Sequence, residues 1–186
     1  MSIILANASL QVFLDNQWKI FGFSVIQHMH LESIVKELGV QQHPPSPLLV
    51  QRLETTPPSN EEIARRWFEI LSEHLSSMKS SHLYPVNVLS IIPGFSQDQL
   101  VKLSLLQIVP KPISGNSEYL TPVQCYLGKS AKDDFYSKLF HFVNFGTVAN
   151  RFLDACYAKN EPSEEDIAES LLDDPGKFYD LAGRER

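Results

Sequence analysis

The strongest periodic pattern in this chain is an apolar stripe that begins just after Ser59. Apolar and aromatic residues recur three or four positions apart, and charged residues occupy the positions between them. Because an α-helix turns once in about 3.6 residues, this spacing places the apolar side chains on one helix face. The pattern predicts an amphipathic helix over about residues 60–78. Its inward positions are Ile63, Trp67, Ile70, Leu71, His74 and Leu75, and its outward positions are Glu61, Glu62, Arg65 and Arg66.

Prolines separate this helix from the residues before it. HPPSP at residues 43–47 and TTPP at residues 55–58 interrupt the chain twice, with the short helical segment PLLVQRLE between them. Proline ends helices because it fixes φ and has no N–H to donate. We therefore predict joints at these two breaks, after an N-terminal hairpin and helix in residues 1–43.

Strands are predicted where β-branched and aromatic residues cluster. SLQVFL and WKIFGFSVI predict a first hairpin, LQIVPKP and EYLTPVQCYLG predict a second hairpin that carries Cys125, and FHFVNFG predicts a third strand. Further helices are predicted at HLESIVKELGV and after Ser96, where Gln99 stands at the reciprocal capping position. The predicted fold class is α+β, helix-rich with a small two- to three-stranded sheet, and a mostly α fold is the alternative.

A seven-residue phrase occurs twice, first as PSNEEIA and later as PSEEDIA. In each copy a serine can accept a hydrogen bond from the backbone amide three residues later, which is how many helices begin. Ser59 would pair with Glu62 and Ser163 with Asp166, and Glu62 has the longer side chain for reaching back to its cap. Helix capping therefore explains the letters that the two copies share.

The same phrase also suggests an alternative function, a winged-helix-like module that binds nucleic acid through Arg65 and Arg66. Such binding depends on clustered Lys and Arg, because the phosphates they neutralise release counterions. Residues 150–186 carry five basic and ten acidic residues, so the second copy lies in an acidic segment. We therefore expect no nucleic-acid partner.

Metal and phosphate sites are suggested by two short motifs, and both are incomplete. His28, His30 and Glu32 would share one face of a strand in a geometry suited to zinc, but HLESIVKEL favours a helix and no second cluster completes the ligand set. LGKS resembles the end of a phosphate-binding loop, but Val123 stands where that loop needs a glycine five residues before Gly128. We expect no metal and no cofactor.

The two cysteines, Cys125 and Cys156, are too few for a disulfide framework and are typical of a reducing compartment. A cysteine hydrolase would need a base beside its thiol, and no histidine lies close to either cysteine in the sequence. We therefore predict two buried free thiols and no enzymatic activity.

The N-terminus does not resemble a signal peptide, and no run approaches the length of about 18 apolar residues that spans a membrane. We expect a cytoplasmic protein without a membrane partner, with the nucleus as the alternative.

Several ordered segments together resemble a known family. They are HPPSPLLVQRLETTPPSNEEIARRWFEILSEHL, LLQIVPKP, YLTPVQCYLG and FVNFGTVANRFLDACYAKNEPSEEDIAESLLDDPGKFYDLAG, within residues 44–183. The set resembles large fungal proteins of uncharacterised function that carry a histidine-kinase/gyrase-type (GHKL) ATPase domain, which are distantly similar to sacsin and the plant NO VEIN proteins. Asn144 stands where this family would have Asp, and Tyr157 where it would have Gly, so we expect neither a charged role at the first position nor a tight turn at the second.

The resemblance implies a position in a longer polypeptide. The ATPase signature, with its magnesium ligands, Asp-x-Gly-x-Gly turn and glycine-rich lid, does not occur in this chain, so the chain resembles a segment downstream of the ATPase domain. Residues 184–186 follow the last helix without a clear cap, and we expect a truncated end there. The predicted function is a non-catalytic structural or interaction segment of a large, ATPase-linked, chaperone-like protein. Its partners would be other domains of that polypeptide or a separate protein.

Overall fold

The structure is a computed structural model that describes residues 12–25, 41, 43–76, 94–111, 118–128 and 134–183. Within these ranges there are seven α-helices: α1 (Ser46–Thr55), α2 (Glu61–Ser76), α3 (Gln97–Ser104), α4 (Asp134–Leu139), α5 (Thr147–Ala155), α6 (Glu164–Asp173) and α7 (Pro175–Gly183). Two 3₁₀ helices span Asn16–Phe21 and Pro122–Gln124. The strands are β1 (Val12–Phe13), β2 (Ser24–Val25), β3 (Val109–Pro110), β4 (Tyr119–Leu120), β5 (Cys125–Tyr126) and β6 (His141–Phe142). They form three two-stranded sheets, which confirms a helix-rich α+β fold.

The N-terminal strands are parallel, so the predicted first hairpin is wrong. Val12 pairs with Ser24 and Phe13 with Val25. The chain between them forms a 3₁₀ helix whose N-cap, Asp15, accepts a hydrogen bond from the backbone of Gln17. A single helical crossover returns the chain in its original direction, whereas a tight turn would have reversed it. The predicted helix at HLESIVKELGV lies outside the described residues.

The second predicted hairpin is confirmed in part. β3 and β4 pair antiparallel, with Val109 opposite Leu120. Cys125, however, lies outside this hairpin, because Pro122 begins a 3₁₀ turn directly after β4. The turn redirects the chain into β5, which pairs in parallel with β6, the strand predicted from FHFVNFG.

The core contains one continuous cluster of aromatic and aliphatic side chains. Phe68 of α2 stacks on Phe152 of α5 at a centroid distance of 5.4 Å and meets Phe145 edge-on at 5.3 Å. Trp67 stacks on Phe21 of the first 3₁₀ helix at 4.3 Å. Side chains from both sides of the predicted boundary at residue 43 therefore share this cluster. The division of the chain at that residue, which follows the extent of the family resemblance, stays a prediction.

The buried and exposed faces of α2 match the predicted stripe. Trp67, Leu71 and His74 are buried, Ile63 and Ile70 are half-buried, and all four outward positions of the prediction are exposed. The helix is described from Glu61 to Ser76. Among the described residues, no helix combines the length and hydropathy needed to cross a membrane.

Candidate functional site

Both cysteines are buried in the core, as predicted. The thiol of Cys125 donates a hydrogen bond to the backbone carbonyl of Thr121 at 3.4 Å. Burial raises the pKa of Cys125 to about 12 and raises the pKa of Cys156 further. Because the thiolate is the nucleophilic form of cysteine, neither thiol is activated in this arrangement.

Two histidines, an aspartate and a tryptophan form a cluster that we call the imidazole cluster: Asp15, Trp18, His43 and His74. The imidazole rings are 5.8 Å apart between centroids, and Trp18 meets His74 edge-on at 4.8 Å. The indole Nε1 of Trp18 donates to Nδ1 of His43 at 3.3 Å, and a carboxylate oxygen of Asp15 lies 3.9 Å from the same nitrogen. The cluster joins the first 3₁₀ helix, the proline-rich joint and α2.

Its hydrogen bonds fix the protonation of both rings. Nδ1 of His43 must be an acceptor, because the indole N–H can only donate. Nδ1 of His74 must carry a proton, because it lies 3.1 Å from the backbone carbonyl of Ile70. In the neutral ring that burial favours, Nε2 of His74 then carries a lone pair, and this atom is buried and without a hydrogen-bond partner among the described residues.

Burial lowers the pKa of both histidines. For His43 the carboxylate of Asp15 opposes this effect only in part. For His74 burial outweighs the carbonyl of Ile70, and the neighbouring His43 lowers the pKa further. His74 is only 3% exposed and Trp18 is fully buried, whereas His43 and Asp15 are half-buried at the edge of the cluster. The lowered pKa values favour neutral imidazole rings.

Arg65 and Arg66, the proposed phosphate contacts, are both exposed on the outward face of α2. Arg66 forms an ion pair with Glu62 at 2.6 Å, one helical turn away. α2 carries four glutamates, Glu61, Glu62, Glu69 and Glu73. The field around the two arginines is therefore mixed, and phosphate binding favours a continuous basic surface.

The metal motif and the last two residues of the LGKS motif lie outside the described residues. His28, His30 and Glu32 lie outside the described residues, and within the described ranges no three His, Cys, Asp or Glu side chains come together as metal ligands. Gly128 of the LGKS motif has a structural role. Its backbone N–H donates to the carbonyl of Asn160 at 2.9 Å, and a Cβ at this position would lie 2.4 Å from that oxygen.

The two repeated phrases cap their helices differently. In the first copy Asn60, and not the predicted Ser59, accepts from the backbone amide three residues later, that of Ile63, at 2.9 Å. Asparagine is at least as good a cap as serine, so the cap lies one residue further along, and Glu62 pairs with Arg66. In the second copy Ser163 and Asp166 form the predicted reciprocal pair at 3.2 and 2.9 Å.

Asp166 also attaches α6 to the rest of the molecule. Its carboxylate accepts a hydrogen bond from the ammonium of Lys159 at 2.5 Å and one from the hydroxyl of Tyr126. Burial acts to raise the pKa of Asp166, but its bonds to Lys159 and Ser163 outweigh burial and lower the pKa to about 2. Burial, together with the charge and hydrogen bond of Asp166, raises the pKa of Tyr126 to about 12. The second copy of the phrase thus starts a helix and fixes it to β5.

Tyr157 does form a tight turn, contrary to the expectation that only glycine would. Its φ is +64°, in the left-handed region that non-glycine residues rarely adopt. It ends α5 in the manner of a Schellman motif: Ala158 donates to the carbonyl of Leu153 at 2.9 Å, and Tyr157 to that of Asp154 at 3.0 Å. The phenol hydroxyl of Tyr157 accepts a hydrogen bond from the side chain of Gln97 on α3.

Asn144 acts through its amide oxygen at the start of α5. This oxygen accepts hydrogen bonds from the backbone of Gly146 at 3.0 Å and from the amide nitrogen of Asn150 at 3.3 Å. Asn150 in turn accepts from the backbone of Phe145 at 3.0 Å. Asn144 therefore shapes the turn before α5, and its single amide oxygen is sufficient to accept both hydrogen bonds.

Large apolar side chains are exposed on the two C-terminal helices. Leu172 of α6 is 79% exposed and Tyr179 of α7 is 80% exposed, and Leu171 is exposed beside them. None of the side chains of α6 is buried. Periodicity alone could not identify this face, because a leucine pair in an amphipathic helix is usually read as core.

One of three comparisons with known proteins finds a match. A family model described as "Protein of unknown function (DUF3684)" matches residues 4–186 and so extends across the predicted boundary at residue 43. No curated protein and no solved structure matches the chain.

Proposed function

The chain belongs to the DUF3684 family of proteins of unknown function. We propose that it is a non-catalytic interaction segment of a longer, ATPase-linked and chaperone-like polypeptide. The observation that carries this proposal is the contrast between interior and surface. Among the described residues, both cysteines and His74 are buried, whereas Leu172 and Tyr179 are almost fully exposed on the C-terminal helices. This distribution suits a protein that presents a surface to another protein.

The link to an ATPase rests on the sequence resemblance of residues 44–183. The magnesium ligands and the glycine-rich turn of such an ATPase do not occur in this chain. Any nucleotide would therefore bind in another part of the polypeptide, and this segment would respond to that part or connect it to a partner. We place the protein in the cytoplasm, with the nucleus as the alternative.

Calorimetric titration with Mg-ATP tests the absence of a catalytic nucleotide site. We expect no saturable heat and no release of phosphate. Stoichiometric binding or turnover by this chain alone would refute the proposal.

Alkylation of the native protein tests the remaining catalytic alternative, a cysteine hydrolase. Iodoacetamide should modify Cys125 and Cys156 slowly in native buffer and rapidly in urea, because burial and a raised pKa both suppress thiolate attack. Rapid alkylation of one thiol in the folded protein would indicate an open, activated cysteine and would contradict the non-catalytic assignment.

The nucleic-acid alternative is tested through Arg65 and Arg66. It requires binding to duplex DNA that weakens steeply with salt and is lost in the Arg65→Glu, Arg66→Glu double variant. We expect no such binding. The ion pair of Arg66 with Glu62 already offsets one of the two charges.

A further inference from the structure

The C-terminal helices α6 and α7, with Asp174 between them, are called the acidic end. From Glu164 to Gly183 the sequence has seven acidic residues and a single lysine. One of the seven, Asp166, is neutralised by Lys159. With seven carboxylates and one lysine, this part of the chain has a negative balance, to which the exposed Glu165 and Glu169 contribute.

The acidic end is held in place by its inner side. Asp166 bonds to Lys159 and Tyr126, and Ile167 is half-buried. These contacts fix the rotation of α6 about its axis, so the opposite face has a defined orientation. That opposite face carries Leu172.

Leu172 is surrounded by carboxylates on the outer face of α6. Glu169 and Glu165 lie three and seven positions before it, which places them on the same side of the helix, and both are exposed. Ala168, one turn before Leu172, is also exposed and leaves the leucine without a covering side chain. The outer face therefore combines an apolar centre with acidic flanks.

Single exposed leucines are common on protein surfaces and need no explanation. Here Leu172 shares its face of α6 with Glu165 and Glu169. Leu171 is exposed on the same helix, and Tyr179 is exposed on α7, which packs against α6. Exposed apolar surface that polar residues surround is typical of protein association sites.

Resting on the proposed function, we propose that the outer face of the acidic end binds a basic amphipathic helix of a protein partner. Charge complementarity identifies the occupant, because lysines or arginines beside an apolar stripe would meet Glu165 and Glu169 while the stripe covers Leu172. The exposed surface is a helix face and has no open strand edge, so a helix is the element that packs on it by side-chain ridges. The negative field disfavours phosphate-bearing partners, both nucleic acids and anionic membranes.

The experiment uses the full chain and a fluorescently labelled helical peptide built from leucine and lysine with heptad spacing. The matched probe replaces every lysine with glutamate. Fluorescence anisotropy should show saturable binding of the lysine peptide that weakens as salt increases, and no binding of the glutamate peptide. Equal binding of both peptides, or no binding of either, would overturn the proposal.

Variants then locate the site. The double variant Leu172→Ser, Tyr179→Ser should weaken binding at least about tenfold, because it removes the most exposed apolar side chain of each of the two helices. Glu165→Gln, Glu169→Gln should weaken binding and reduce its dependence on salt. Leu105→Ser is the matched control, because Leu105, the C-cap residue of α3, is a leucine that is 66% exposed outside the acidic end. If the double variant and the control bind alike, the peptide does not bind this face and the proposal is wrong.

Two further outcomes separate this proposal from the proposed function. Binding to anionic lipid vesicles in place of the peptide would overturn the inference while leaving a non-catalytic segment intact. Nucleotide binding in the calorimetric titration would refute the proposed function and would have no bearing on the peptide site.

Discussion

The helices α2 and α6 begin with nearly the same seven residues and lie in opposite surroundings. α2 places Trp67, Phe68 and Leu71 in the core, whereas none of the side chains of α6 is buried. Each helix has a polar side chain that accepts a hydrogen bond from one backbone amide of its first turn, and the cap of α6 adds the reciprocal bond of Asp166. The start of a helix and its burial are therefore determined by different residues. The cap decides where the helix begins, and the residues after the first turn decide what it packs against.

The largest expected difference between the two helices is the response to losing one apolar side chain. Phe68→Ala should lower the free energy of unfolding by about 3–5 kcal/mol, because it leaves a cavity between Phe145 and Phe152. Leu172→Ala should change it by no more than about 0.5 kcal/mol. Urea denaturation of both variants measures the difference, and similar losses would mean that α6 contributes to the core after all.

Acid should destabilise the α2 side first. The unfolded histidines have a pKa of 6.5, and burial lowers the folded pKa of His43 and His74. The unfolded chain therefore binds protons before the folded chain does, so this contribution to stability is complete above pH 6.5 and is lost as the pH falls towards the folded pKa values.

Urea midpoints between about pH 7.5 and about pH 5.5 measure this loss. The slope with pH should be smaller in His74→Gln, which keeps a polar side chain but cannot titrate. A flat wild-type profile over this range would contradict the assignment of neutral rings to His43 and His74.

The contribution of Asp166 at the start of α6 should change only at lower pH. Asp166 stabilises the fold above its unfolded pKa of 3.8, and this stability is lost as the pH falls through about 2.

Capping substitutions should affect both helices equally. Asn60→Ala and Ser163→Ala should each lower the free energy of unfolding by about 1 kcal/mol, because each leaves a backbone amide of the first turn without its acceptor. Ser59→Ala is the matched control and should have an effect below about 0.5 kcal/mol. A larger loss in Ser59→Ala than in Asn60→Ala would move the cap back to the position that the sequence suggested.

The smallest expected effect is at the turn that leads from the core towards α6. Tyr157→Gly should raise the free energy of unfolding by up to about 1 kcal/mol, because glycine adopts the left-handed conformation without strain. Both Tyr157→Gly and Tyr157→Ala remove the contact with Gln97, but only the alanine variant keeps a Cβ. The difference in stability between the two variants therefore measures the backbone effect. Thermal denaturation should rank the glycine variant above the alanine variant, and the reverse order would show that the backbone at this position is not strained.

Local patterns in the sequence were sufficient for the features that depend on neighbouring residues. The inward face of α2, the reciprocal cap of Ser96 and Gln99, and that of Ser163 and Asp166 all follow from spacings of a few residues. The first cap was mispredicted because Ser59 and Asn60 are adjacent and both can act as caps. Spacing alone cannot choose between them.

Features that depend on tertiary structure could not be read in this way. The imidazole cluster brings together Asp15, His43 and His74, which are far apart in the sequence. The strand of Cys125 was assigned to the wrong partner because β5 pairs with β6, a strand that begins fifteen residues after β5 ends. The outward face of α6 carries leucines in a pattern that also occurs in buried helices, so only its position in the fold distinguishes it.

The contact between Gly128 and Asn160 has a consequence for other members of the family. The two backbones are so close that a methyl group at position 128 would overlap the carbonyl oxygen of Asn160, and no side-chain rearrangement can relieve an overlap with backbone. A relative with any other residue at this position must route the chain between α5 and α6 differently. A single column of a future alignment would therefore show, without a structure, in which relatives the C-terminal helices keep the attachment seen here.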